Sequence, residues 1–248
     1  MRRDTKILLV TVCLGAGIAW GRDVPGAIVH HELFRVKDVE VRGLRFLSQE
    51  DVVTLLRLAP ETSVWGDKAV WADRVLRHPL IKDVAVTRRP PDGLLLTVME
   101  RTPIALAPTP TLEPIDAEGV RLPLDPGEYR LDLPVIETRR LPPSGSRLVP
   151  EDVRLLAAEV EHLMAADTAF LQLVSSVAWD GRGAVVARWT EPPVSFLLPP
   201  HAPPGRLREG LSALADAVAK APDAVPAAID LRFADQVVVR RTSSQTGS

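Results

Sequence analysis

Cysteine is all but missing from this 248-residue chain: Cys13 is the single one. It lies inside an apolar run, so the body of the protein has no disulfide framework and no cysteine metal site. Stability must come from packed cores. With 46% hydrophobic residues the chain can build one or two of them. An excess of either charge is missing too. Thirty basic residues face 32 acidic ones, a net charge of −2, which leaves no global basic field for nucleic acid. No Gly-x-Ser-x-Gly elbow, His-Glu-x-x-His pair or P-loop occurs. Long apolar stretches are equally scarce, and only Ile7 to Trp20 could enter a bilayer. Proline is plentiful, with 23 residues, and argues for short, punctuated elements and firm linkers.

The apolar run has no charge and lies behind Arg2, Arg3 and Lys6, so its N-terminus stays inside by the positive-inside rule. Trp20 stands at the outer end, where an interfacial aromatic belongs. About 15 residues at ~1.5 Å each give roughly 22 Å against a hydrocarbon core of ~30 Å. Lys6 and Arg22 can snorkel to close that gap. Ala19-Trp20-Gly21 also fits a small-x-small cleavage site, so anchor and cleaved signal peptide both stand on local sequence. Either one exports the rest of the chain.

Residues 34–103 read as a first module. Val36, Val39 and Val41 approach strand alternation, which Gly43 ends. Ser48-Gln49-Glu50-Asp51 opens a helix, with Ser48 as cap and Asp51 three residues on. Val52, Leu55 and Leu56 form its buried stripe, and Pro60 is expected to close it. A second helix runs from Asp67 to about Arg77, offering Ala69, Val70, Val75 and Leu76 to the core. His78-Pro79 stops it, because proline disfavours helix at the residue before it. Ile81, Val84 and Val86 mark a strand, Pro90-Pro91-Asp92-Gly93 a turn, and Leu94 to Arg101 the returning strand. The order is β-α-α-β-β.

Residues 104–241 read as a second module. Strands are expected at Ile104–Ala107, on both sides of the Asp116–Gly119 turn, and at Pro134–Ile136. An amphipathic helix comes next, from Pro150 to about Ala166, with Val153, Leu156, Ala157, Val160, Leu163 and Met164 on one face. Ser175–Trp179 and Ala184–Trp189 form a hairpin around Asp180-Gly181-Arg182-Gly183. Another strand is Val194–Leu198. A second helix spans Arg206–Lys220, with Leu207, Leu211, Leu214, Ala215 and Val218 inward. Strands at Ala228–Phe233 and Gln236–Arg240 close the fold.

Val39-Glu40-Val41-Arg42-Gly43, the helix opened by Ser48-Gln49-Glu50-Asp51, His78-Pro79-Leu80-Ile81-Lys82-Asp83-Val84-Ala85-Val86 and Leu96-Thr97-Val98-Met99-Glu100-Arg101-Thr102-Pro103 together resemble a POTRA domain. The Glu-Arg-x-Pro ending is similar to the cell-division version. Behind it come Ile115-Asp116-Ala117-Glu118-Gly119-Val120, Leu133-Pro134-Val135-Ile136, two helices and Ile229-Asp230-Leu231-Arg232-Phe233. That succession resembles the FtsQ/DivIB family over nearly the whole chain. The stub of about six residues before the run is shorter than the family's usual tail, and Arg240-Arg241 stand where some members carry an aromatic.

The resemblance implies an α+β fold: a cytoplasmic stub 1–6, a single N-terminal transmembrane helix at 7–21, the POTRA domain at 34–103, a mixed β-sheet domain with two flanking helices at 104–241, and a flexible tail 242–248. It implies a type II protein of the inner membrane at the division septum, with its bulk on the outer side. It turns the apolar run into an anchor, so the mature chain is expected to keep Met1 or Arg2. No catalysis and no cofactor are implied. The implied partners are FtsB and FtsL, and through them the septal synthase FtsW–FtsI. The family receives FtsB at the end of the β-domain. Here that carries over to Arg232 and Phe233, matching the family's Arg-Tyr pair, and to Ala234, Asp235, Gln236, Val237, Val238 and Val239. A last strand is often an edge strand, whose free N–H and C=O groups template a partner strand.

Other readings are weaker. His30-His31-Glu32 lacks a matching ligand cluster, and adjacent histidines on an extended chain point to opposite sides. Asp116 and Glu118 could serve glycan hydrolysis in a secreted wall hydrolase, but a solvated turn is the plainer expectation. Trp65, Trp71, Trp179 and Trp189 could line a sugar cleft, with core and rim packing the default. An outer-membrane assembly or secretion factor would need a long β-barrel after its POTRA array.

Overall fold

A computed structural model of the chain describes residues 32–108, 111–138, 146–222 and 224–241. The expected anchor 7–21, His30, His31 and the tail 242–248 lie outside the described residues. No helix among the described residues is long and apolar enough to cross a membrane. The chain divides into two compact units between Glu100 and Arg101.

The first unit contains β1 (Asp38–Arg42), α1 (Gln49–Leu56), α2 (Lys68–Leu76), β2 (Ile81–Arg89) and β3 (Gly93–Glu100). The sheet order is β1-β3-β2, with β1 parallel and β2 antiparallel to β3. The β-α-α-β-β order is the expected one. At the start of α1 the Asp51 N–H donates to the Ser48 hydroxyl, and the Ser48 N–H donates back to the Asp51 carboxylate. The Glu100 carboxylate accepts the N–H groups of Arg45, Phe46 and Leu47 at 2.9, 2.8 and 3.0 Å, which fixes the approach to that helix. Pro60 does not end α1. Arg57 does so, in the left-handed region at φ 49°, while Arg74 of α2 donates to the Leu56 and Arg57 carbonyls. A second correction concerns α2, where Ala69 and Val70 face outward. Trp71 and Val75, one turn apart, carry the burial instead. They join Val52, Leu56, Leu94, Leu96 and Val98 in one core.

The second unit holds an eight-stranded mixed sheet. Its strands are β4 (Ala105–Pro108), β5 (Leu112–Ile115), β6 (Val135–Glu137), β7 (Val174–Trp179), β8 (Val185–Trp189), β9 (Val194–Leu198), β10 (Ala228–Asp230) and β11 (Val238–Arg240). Their spatial order is β11-β10-β9-β8-β7-β6-β4-β5. Two long helices, α3 (Glu151–Ala166) and α5 (Pro204–Lys220), match the sequence reading, and a short one, α4 (Thr168–Gln172), is additional to it. Asp167 caps α4 by accepting the Phe170 N–H, and Phe170 and Leu171 are buried there. Helix α3 buries Val153, Leu156, Ala157, Val160 and Leu163, as its periodicity indicates. Helix α5 buries Leu207, Gly210, Leu214 and Ala217, whereas Ala215 faces outward. Phe170, Trp189 and Phe196 meet with ring centroids 4.9 to 5.5 Å apart at the centre of this core. Trp71 and Trp189 are buried, and Trp65 and Trp179 pack half-buried against the two cores, so the tryptophans serve packing.

Candidate functional site

A sheet has two edges, and this one treats them differently. Outside β5, the Leu122 N–H donates to the Pro114 carbonyl at 2.8 Å and Ile115 bridges to Arg121, so a later segment covers that edge. At the other end, β11 pairs antiparallel with β10 and, among the described residues, with no other strand. An uncovered edge strand is a template for added backbone.

The direction of the free groups is set by β10. Its pairing with β9 is parallel, with the Ser195 N–H donating to the Ala227 carbonyl and the Leu231 N–H to the Leu197 carbonyl. Ile229 therefore turns toward β9, and Ala228 and Asp230 toward β11, where the Ala227 N–H adds a bond to the Arg240 carbonyl at 2.9 Å. Their register partners, Arg240 and Val238, turn inward to meet them. That leaves the N–H and C=O of Val239 on the open side. The Val239 side chain borders a recess of about 510 Å³ along α5, lined also by Ala213, Asp216, Ala217, Lys220 and Arg241.

Both β10 and β11 are shorter than the sequence suggests, and Arg206 accounts for it. This buried arginine of α5 donates to the carbonyls of Leu231 (3.0 Å), Phe233 and Gln236 (2.5 Å), and pairs with Glu209 one turn along. The Phe233 and Gln236 carbonyls are turned to this side chain rather than to a neighbouring strand. The chain turns there instead of continuing as strand.

The face of the sheet opposite α5 carries a second set of bonds. Asp230 is fully buried and accepts Arg232 in a two-bond fork at 2.8 and 2.7 Å, with Arg240 adding a third at 2.7 Å. Arg232 also reaches Asp180, in the β7–β8 turn, at 3.0 Å. The hydrogen bond from Arg232 holds the Asp230 carboxyl below the ordinary range, against the opposing effect of burial. The Ala184 N–H does most to lower Asp180, with Arg182 and Arg232 adding to it. Hydrogen bonding to Asp230 raises Arg232 in turn.

The residues expected to bind the partner thus fall into three groups. Phe233, Ala234, Asp235, Gln236 and Val239 are exposed, with Phe233 at 43%. Val237 and Val238 are half-buried, and Val237 lies before β11 rather than in it. Arg232 is turned to Asp230 and Asp180. Sequence reasoning missed Asp180, Arg206, Asp230 and Arg240. The hairpin bonds of Asp180, Arg206 and Arg240 span ten to 52 residues and no local pattern signals them, while the Asp230–Arg232 pair is local but the burial of Asp230 is not.

Asp116 and Glu118 sit elsewhere. The expected turn forms, but Asp116 is buried and accepts from Arg101 at 2.5 Å and from the N–H groups of Glu118 and Val120. Glu118 accepts from the same Arg101 nitrogen at 2.7 Å. Burial works against the Arg101 charge, and the bonds to Glu118 and Asp116 outweigh it, raising its pKa. A carboxylate so enclosed offers no face to a sugar. Among the described residues, no group of three His, Cys, Asp or Glu side chains is placed to hold a metal ion.

Comparison with known proteins adds to this geometry. Residues 34–101 match the family model of the POTRA domain, FtsQ-type. The chain is 33% identical to the cell division protein FtsQ of Rhodothermus marinus, over 97% of this chain and 88% of the relative. It is 31% identical to that of Salinibacter ruber over 68% of each chain. It is 31% identical to that of Geobacter sp. over 50% of this chain and 46% of the relative.

Proposed function

The chain belongs to the FtsQ family of cell division proteins, and from that membership we propose that it is a non-enzymatic, bitopic membrane scaffold of the bacterial divisome. Residues 7–21 anchor it in the inner membrane at the septum, and the modules at 34–103 and 104–241 work on the outer side. A strand of FtsB adds to β11, FtsL joins with FtsB, and the assembly helps control septal wall synthesis by FtsW–FtsI.

The observation that supports this reading best is the open, pre-shaped edge of β11. Strand addition draws its affinity from main-chain hydrogen bonds and its selectivity from pockets for alternate side chains. Val239 supplies an outward N–H and C=O, and the recess beside it, lined by Ala213 and Ala217 and by the charged Asp216, Lys220 and Arg241, can take a partner side chain. Phe233 keeps an exposed ring for apolar contact at the neighbouring turn.

Val239→Pro tests it, because proline deletes the outward donor while leaving the inward bonds of Val238 and Arg240 in place. The variant is expected to lose capture of the same cell's FtsB in a pull-down, with little change in thermal midpoint. FtsB capture at the wild-type level would sink the reading.

A further inference from the structure

The turn that leads into β11 is held from one helix by two residues. We propose that Arg206 and Gly210 of α5 form a seat that positions residues 231–236, and hence β11, for strand addition. The proposal rests on the docking reading above and adds to it what keeps the edge in shape when no partner is bound.

Arg206 is only 8% exposed, so it is not itself a contact surface. Its guanidinium directs its donors to three carbonyls within a single six-residue turn, those of Leu231, Phe233 and Gln236. A planar fork can reach all three at once, whereas an ammonium is a point donor. Glu209, three residues on, balances the charge. One helical turn from Arg206 lies Gly210, an unfavourable residue for a helix interior. A Cβ there would stand 2.6 Å from a methyl carbon of Leu231, which is fully buried. Glycine thus admits the Leu231 side chain while Arg206 grips its carbonyl. The two contacts are i, i+4 on one helix face and act on the same turn residue. β11 itself is three residues long and, among the described residues, pairs as a strand with the short β10 alone, so the preceding turn contributes to its alignment.

The test uses the full chain in lipid nanodiscs, with hydrogen–deuterium exchange read separately over β7–β9 and over residues 231–241. Arg206→Gln is expected to speed exchange at Val238 and Arg240 on the order of tenfold or more while β7–β9 keep their protection. Capture of FtsB should fall by a similar factor. Arg206→Lys keeps the charge without the fork and should fall between the two. Gly210→Ala, with the arginine intact, should give the same local signature by pushing on Leu231. Unchanged exchange at 231–241 in Arg206→Gln overturns the positioning role. So does equal loss of protection across β7–β9, which would make Arg206 an ordinary stability residue. Faster exchange at 231–241 with undiminished FtsB capture leaves the seat standing and overturns the docking reading, as Val239→Pro would do independently.

Discussion

Gly43 stands at φ 88°, and a Cβ there would lie 2.0 Å from the carbonyl oxygen of Val98. Both the backbone region and the space require glycine at this position. Gly43→Ala is expected to destabilise the first unit by about 3 kcal/mol or more, seen in urea unfolding followed at Trp71. A loss within the error of the measurement would contradict it. The sequence marks Gly43 as a strand end because glycine interrupts a valine alternation. It cannot show which carbonyl fills the vacant space, since Val98 is 55 residues away along the chain. Ser48 is legible for the opposite reason: a capping box is closed by residues three apart, and its chemistry is local. Asp116 shows where local reading stops. A turn is foreseeable there, but its burial and its bond to Arg101 come from tertiary packing.

Among elements, the β10–β11 hairpin is bound on one face by Asp230 and on the other by Arg206. Asp230 titrates below its ordinary value of about 3.9. A depressed folded pKa means stability that is present in full above the unfolded pKa and lost as pH falls through the folded one. Exchange at residues 231–241 is therefore expected to rise as pH drops below about 4, after correction for the intrinsic rate. Asp230→Asn should flatten that response. An acid response that survives in Asp230→Asn would place its origin elsewhere. The helix α5 teaches a related point. Its apolar periodicity is readable, but that periodicity points Ala215 inward, and Ala217 takes the place instead. Two residues apart, these alanines stand about 200° around the helix, on opposite flanks of the stripe, so the sheet beneath decides which flank is covered.

For the whole molecule, two separate cores are the main fact. One draws its buried residues from Val52 to Val98, the other from Ile104 to Leu231. A fragment of residues 101–241 should accordingly unfold in one cooperative urea transition and, on the docking reading, still capture FtsB. A fragment without a cooperative transition would show that its core depends on the rest of the chain. Local sequence is enough to establish two modules, the β-α-α-β-β order of the first and the long helices of the second, because those features rest on periodicity, caps and turns, which neighbouring residues encode. The family rests instead on the resemblance of motifs and on the relatives. Folding in three dimensions was needed to put β11 at an edge while the opposite edge is covered, to face Val239 outward, and to let Arg206 shape the turn before it. An edge is defined by what is not beside a strand, and that depends on how eight strands from 105 to 240 are ordered in space.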